Sequence, residues 1–118
     1  LRHLDATPHP NLMGERLGAH AHIMVFSEFC RTPLINTGGG RDHYPNNSAL
    51  VISPRFKGNF VHGQSDLEQL LPDSNVSTPE GDRPIGPADV LATFLSAFDI
   101  DPAAYLRDGV AIPELLVP

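Results

Sequence analysis

The chain has 118 residues, enough for one domain and not clearly for two. Its 41% hydrophobic and 19% charged residues exclude a fibrous or wholly disordered chain. Fourteen acids against eight bases give a net charge of -6, which argues against a nucleic-acid partner because no basic patch offsets phosphate repulsion.

Cys30 is the single cysteine, so an internal disulfide is excluded and the redox compartment stays open. No apolar run approaches the roughly 20 residues of a membrane span, so no membrane association is expected. Leu1 opens no signal peptide. The chain does not begin with Met, and we expect it to be the trimmed or excised end of a longer protein.

Taken in order, Leu1 to Leu4 read as the tail of a helix, and Asp5 to Ala19 as a loop. His22-Ile23-Met24-Val25-Phe26-Ser27 is short, apolar and bounded by turn residues, which predicts a buried strand. A near-continuous apolar run suits a strand covered on both faces, as in an α/β sheet. Residues 29 to 47 hold two prolines and three consecutive glycines and read as a long loop. Ser48 to Ser53 predicts a second buried strand, and Asn59-Phe60-Val61-His62 a short third one. Gln64 to Gly86 reads as loop.

The helix signal is the clearest. Gly86 is placed as N-cap, Pro87 at the first helical position and Asp89 in the first turn, where the dipole favours a carboxylate. Leu91, Phe94, Leu95 and Phe98 recur at i, i+3, i+4 and i+7 and predict one apolar face. Asp101-Pro102 stops the helix and starts a short turn over Ala103 to Leu106. The tail to Pro118 is apolar and carries two prolines, which excludes a long helix. Loops above about 12–15 residues are uncommon unless they carry function, and this chain has two.

Asp42-His43 is the first candidate site. A carboxylate and an imidazole are standard ligands for zinc or a similar divalent ion, although an adjacent pair also occurs on ordinary surface loops. The pair follows a glycine-rich turn that opens after a strand, and α/β sites gather at the carboxyl ends of strands. Glu28 ends that strand and is a further candidate ligand, or else a solvated strand end. Arg31 and Arg41 suit a phosphate or sulfate oxygen, the alternative being salt bridges to nearby acids. His62, near Asp66, is a fourth candidate ligand, or a hydrogen-bonded loop histidine. Gly38-Gly39-Gly40 lacks the GK[ST] ending of a P-loop and reads as a flexible turn. Cys30-Arg31-Thr32-Pro33 does not match the sulfatase C-x-P-x-R motif, so Cys30 reads as a packed small residue rather than a nucleophile. No G-x-S-x-G is present. Asn46-Asn47-Ser48 and Asn75-Val76-Ser77 match the glycosylation pattern.

Val25-Phe26-Ser27-Glu28-Phe29-Cys30-Arg31-Thr32-Pro33, then Asn36, then Gly39-Gly40-Arg41-Asp42-His43-Tyr44-Pro45, resembles a bacterial family of unknown function. Its members read S-E-F-G-R-T-P-x-x-N…G-R-D-H-W-P. They are described as sulfatase-like proteins exported by the twin-arginine route, within the alkaline-phosphatase-like superfamily. Gly58 to Asp66 resembles the family's G-x-x-x-G-x-T-D. Arg83-Pro84, Asp89 and Ala92-Thr93 resemble R-P-x-x-P-x-D-x-x-A-T, and Phe98 to Pro102 resembles L-G-I-D-P. The likeness runs over nearly residues 22 to 115.

That resemblance implies the carboxyl-terminal portion of a three-layer α/β/α, alkaline-phosphatase-like fold around a largely parallel sheet. It implies one partial domain over residues 1–118, and a divalent metal (Zn, Mn, Mg or Ca). Asp42, His43, Glu28 and His62 would be ligands, and Arg31 or Arg41 would neutralise substrate charge. It also implies a small phosphate or sulfate ester as substrate and an exported or periplasmic location. In the superfamily the preceding strand ends in S-D-H/N-G. Here Glu28 replaces the aspartate, Phe29 cannot ligate and Cys30 replaces the glycine. The nucleophile matches no segment of this chain. The alternative expectation is a catalytically inactive binding or assembly module. Exposed sheet edges predict self-association, or association with an amino-terminal portion.

Overall fold

A computed structural model describes residues 1–66, 68 and 71–118. The expected loop over 64 to 86 includes residues 67, 69 and 70, which lie outside the described residues. Helix α1 spans Arg2–Ala6, so it runs two residues into the expected loop. A 3₁₀ turn over Leu17–His20 follows, and Pro8 bridges Arg16 across the turn between them.

Strand β1, Ile23–Phe26, pairs antiparallel with β4, Ala49–Ile52, in the register Ile23 to Ile52 and Phe26 to Ala49. Between them the 29–47 segment is not all loop. It doubles back through β2, Cys30–Arg31, and β3, His43–Tyr44, also antiparallel. A third antiparallel ribbon joins β5, Ser74–Thr78, to β6, Gly81–Pro84. It lies where only loop was expected, because its polar Ser, Asn and Thr give no apolar run. Val76 is buried, and the Thr78 hydroxyl donates to the Gly81 carbonyl at 2.8 Å to close the turn. Among the described residues, every strand pair is antiparallel.

Two sequence expectations are corrected here. Residues 59 to 62 form no strand: Asn59 takes φ 53°, and this left-handed turn breaks the extended backbone. The β1–β4 ribbon is not covered on both faces. Val25, Phe26 and Leu50 are 56, 69 and 57% exposed, because no described layer packs over that end. The other end is held. The His22 Nδ1 and Ser53 Oγ share a hydrogen bond of 2.9 Å. The His22 ring rests 4.2 Å from that of Phe98. Burial there, then the nearby Arg55 and His20, lowers the His22 pKa.

Helix α2 covers Pro87–Ser96, with Gly86 as N-cap and Pro87 in its first turn, as expected. Its buried face is another matter. Asp89, Ala92, Thr93 and Ala97 are buried, a stripe at i, i+3, i+4 and i+8. At about 100° per residue that stripe lies opposite Leu91, Phe94, Leu95 and Phe98. Leu91 and Phe98 stay partly exposed.

The buried stripe works because its polar atoms are satisfied. Arg83 donates both guanidinium nitrogens to the Asp89 carboxylate at 2.6 and 2.7 Å. The Gly86 and Val110 amides donate to the same carboxylate at 2.7 Å each. The Thr93 hydroxyl donates to the Asp89 carbonyl and accepts from the Ile112 amide at 2.9 Å. One helix face therefore fixes both β6 and the tail. The tail also pairs with residues 55 to 57, through Lys57 N to Leu115 O and Val117 N to Arg55 O, both 2.9 Å. Phe56 and Ile112 are buried with it.

Burial alone would raise the Asp89 pKa, but the Arg83 bond and the Val110 and Gly86 amides outweigh it and hold the value at about 2, against 3.8 unperturbed. Asp89→Asn should cost about 2–3 kcal/mol, less than breaking a fully buried pair, because Arg83, 39% exposed, can rehydrate. A depressed carboxylate stabilises above its unfolded value and loses that contribution as pH falls through the folded one. In urea titrations, the gap between the native protein and Asp89→Asn should thus be full above pH 3.8 and close as pH falls through 2. Gly109 has φ 116°, and a Cβ there would lie 2.6 Å from the Ala88 carbonyl oxygen. Gly109→Ala should lower the thermal midpoint by the equivalent of about 1–3 kcal/mol, since the strain cannot relax without moving the start of α2.

Candidate functional site

Four of the candidate residues, Arg31, Arg41, Asp42 and His43, lie on the β2–β3 hairpin. Its two-residue strands are too short to define a loop, so side chains and turn bonds do the work. The Thr32 amide donates to the Asp42 carbonyl at 2.9 Å, and the Asp42 amide to the Thr32 hydroxyl at 3.1 Å. Deeper in the loop the Asn36 amide donates to the Gly40 carbonyl at 2.7 Å. The Asn36 side-chain oxygen accepts from the amides of Gly38 and Gly40, each at 3.0 Å. Gly39 sits at φ 78°, which glycine adopts without cost. The triple-glycine run, read from sequence as a flexible turn, is thus organised around one asparagine.

At the open end of the hairpin Phe29 is a shared platform. Its ring stacks on His43 at 3.7 Å with 21° between planes. The Arg31 guanidinium lies 4.5 Å from the same ring. Arg31 Nη1 donates to the Arg41 carbonyl at 2.9 Å, which ties the two arginine positions together. Asp42 Oδ1 accepts from the Asn36 side-chain nitrogen at 2.8 Å. Arg31, Arg41, Asp42 and His43 are all exposed. The hairpin therefore offers a carboxylate, an imidazole and two guanidinium groups to solvent. That set can meet an oxyanion with positive charge, and it gives two donor side chains for a metal ion.

The sequence profile described as "Protein of unknown function (DUF1501)" matches residues 13–112. This chain belongs to that family. No curated protein and no solved structure matches it. The family match spans the hairpin, the Arg83–Asp89 pair and the helix, and stops at buried Ile112.

Within this family member the other two candidate ligands stand apart. Glu28 is exposed on the bend between β1 and β2. The Nε2 atom of His62 is buried, with no hydrogen-bond partner among the described residues. Among the described residues, no three of His, Cys, Asp and Glu gather closely enough to hold a metal ion. Asp42, His43, Glu28 and His62 therefore do not make a complete divalent site by themselves, since such ions take four or more ligands. Cys30, expected to be packed, is exposed at the start of β2.

Sequence reading missed two contributors. Asn36 entered only as a motif letter, although an asparagine before a glycine run is a known turn organiser. Phe29 was set aside because it cannot ligate, yet it positions one residue that can. Phe29→Ala should leave His43 and Arg31 without their platform, at a cost of about 0.5–1.5 kcal/mol. Hydrogen exchange at the Thr32 and Asp42 amides, both bonded across the hairpin, should accelerate while the β5–β6 ribbon is unchanged.

Proposed function

We propose that this chain is the part of a phosphate- or sulfate-ester hydrolase that presents the substrate-facing hairpin, within an α/β/α, alkaline-phosphatase-like protein. The observation that carries this reading is the hairpin itself. One hairpin holds Asp42 by Asn36 and His43 by Phe29, and the Arg31 side chain bonds the Arg41 backbone carbonyl next to them. The arginines supply charge to an anionic ester, and guanidinium geometry suits its oxygens. Asp42 and His43 supply two donors to a divalent ion such as Zn, Mn, Mg or Ca, with the remaining ligands and the nucleophile coming from elsewhere in the full-length protein. The family motif over residues 25 to 45 supports the same reading by resemblance. An exported location belongs to that resemblance as well.

A second reading, an inactive binding or assembly module, draws on a different observation: the exposed apolar end of the β1–β4 ribbon. One experiment separates them. The full-length protein is purified, loaded with zinc or manganese, analysed for bound metal and assayed with p-nitrophenyl phosphate and p-nitrophenyl sulfate. The hydrolase reading expects stoichiometric metal, at least tenfold weaker retention in Asp42→Ala and in His43→Ala, and hydrolysis that falls in Arg31→Ala. Metal content unchanged by both substitutions would sink it. Metal-free protein that elutes as a stable oligomer would favour assembly.

A further inference from the structure

The Asn36 side chain makes three hydrogen bonds of two kinds. Its oxygen accepts from Gly38 and Gly40 amides at 3.0 Å, and its nitrogen donates to Asp42 Oδ1 at 2.8 Å. The orientation of the amide follows from its partners. Backbone N–H groups only donate, so the oxygen must face the glycines. The nitrogen is then left to face the carboxylate. No other side chain of similar size offers an acceptor and a donor on one planar group at this spacing.

We infer that Asn36 is the positioning residue of the hairpin: it locks the turn with its oxygen and aims the Asp42 carboxylate with its nitrogen. With Oδ1 engaged, Asp42 presents Oδ2 outward and is held in one rotamer before any ligand arrives. Pre-orientation of this kind lowers the cost of binding, because the side chain has no rotamer freedom left to lose. The role of Asn36 in ligand binding rests on the reading of Asp42 as a ligand. The positioning itself does not, and it is tested without metal.

The two functions of Asn36 can be separated by chemistry. Asn36→Asp keeps an oxygen for Gly38 and Gly40 but replaces the donor with a second carboxylate oxygen, which repels Asp42. The paired exchange Asn36→Asp with Asp42→Asn restores a donor and an acceptor with their order reversed. The readouts are NMR side-chain couplings at position 42 and hydrogen-exchange protection of Gly38 and Gly40, in metal-free buffer at neutral pH.

A single rotamer at position 42 is expected in the native chain. Averaging is expected in Asn36→Asp, and a single rotamer again in the paired exchange, with Gly38 and Gly40 protected throughout. An Asp42 rotamer unchanged in Asn36→Asp would overturn the inference. So would loss of Gly38 and Gly40 protection in that variant, or a paired exchange that fails to restore order. Failure of the metal experiment would leave this result standing, so the two readings fall separately.

Discussion

The buried carboxylate of Asp89 is the constraint on which the rest of the structure leans. A charge placed in the interior is costly, and it persists here because four bonds from three segments meet it. Those segments are the end of β6, the start of α2 and the tail at Val110. Without that convergence, helix and tail would have few apolar contacts to hold them, since the buried apolar set is small. A polar knot stands in for part of a hydrophobic core. Thr93 extends it by one helical turn, passing the hydrogen-bond chain on to Ile112.

The start of α2 was legible because Gly86-Pro87 is a local signal; its end was not, since the helix stops at Ser96, before the expected stop at Asp101-Pro102. Its packing was not. Apolar periodicity pointed to Leu91, Phe94, Leu95 and Phe98, while the helix buries the opposite stripe of Asp, Ala, Thr and Ala. Small residues allow close approach, and a charged one is buried when its partner, Arg83, is six residues upstream across a turn. Hydropathy counts cannot register such a pair. Beyond its place in the family motif, Asp89 was noticed for the helix dipole, a far weaker effect than the bonds it makes.

The candidate site shows the same division. The residue types at 31, 41, 42 and 43 were read as candidates on a loop, and the structure places all four on one hairpin. What the sequence could not supply was the scaffolding. Phe29 and Asn36 carry no chemistry of their own, so a search for ligands and nucleophiles passes over them. Their contribution lies in geometry: one supports a ring by stacking, and the other closes a turn while holding a carboxylate. The hairpin is exposed and its strands are two residues long, so side-chain bonds outweigh the backbone ladder in fixing its shape.

The β1–β4 ribbon carries one more consequence. All eight of its paired residues are apolar, from Ile23 to Phe26 and from Ala49 to Ile52. In most sheets a slip of one residue would exchange polar for apolar side chains and be rejected on that ground. Here such a slip exchanges apolar for apolar, so alternation does not police the pairing. The alignment is set at the two ends instead. His22 meets Ser53 directly across the ribbon at one end, and Asn47 reaches the Ser27 carbonyl at the other. Two polar clasps thus decide which apolar residue faces which, along a stretch where hydrophobicity itself is indifferent.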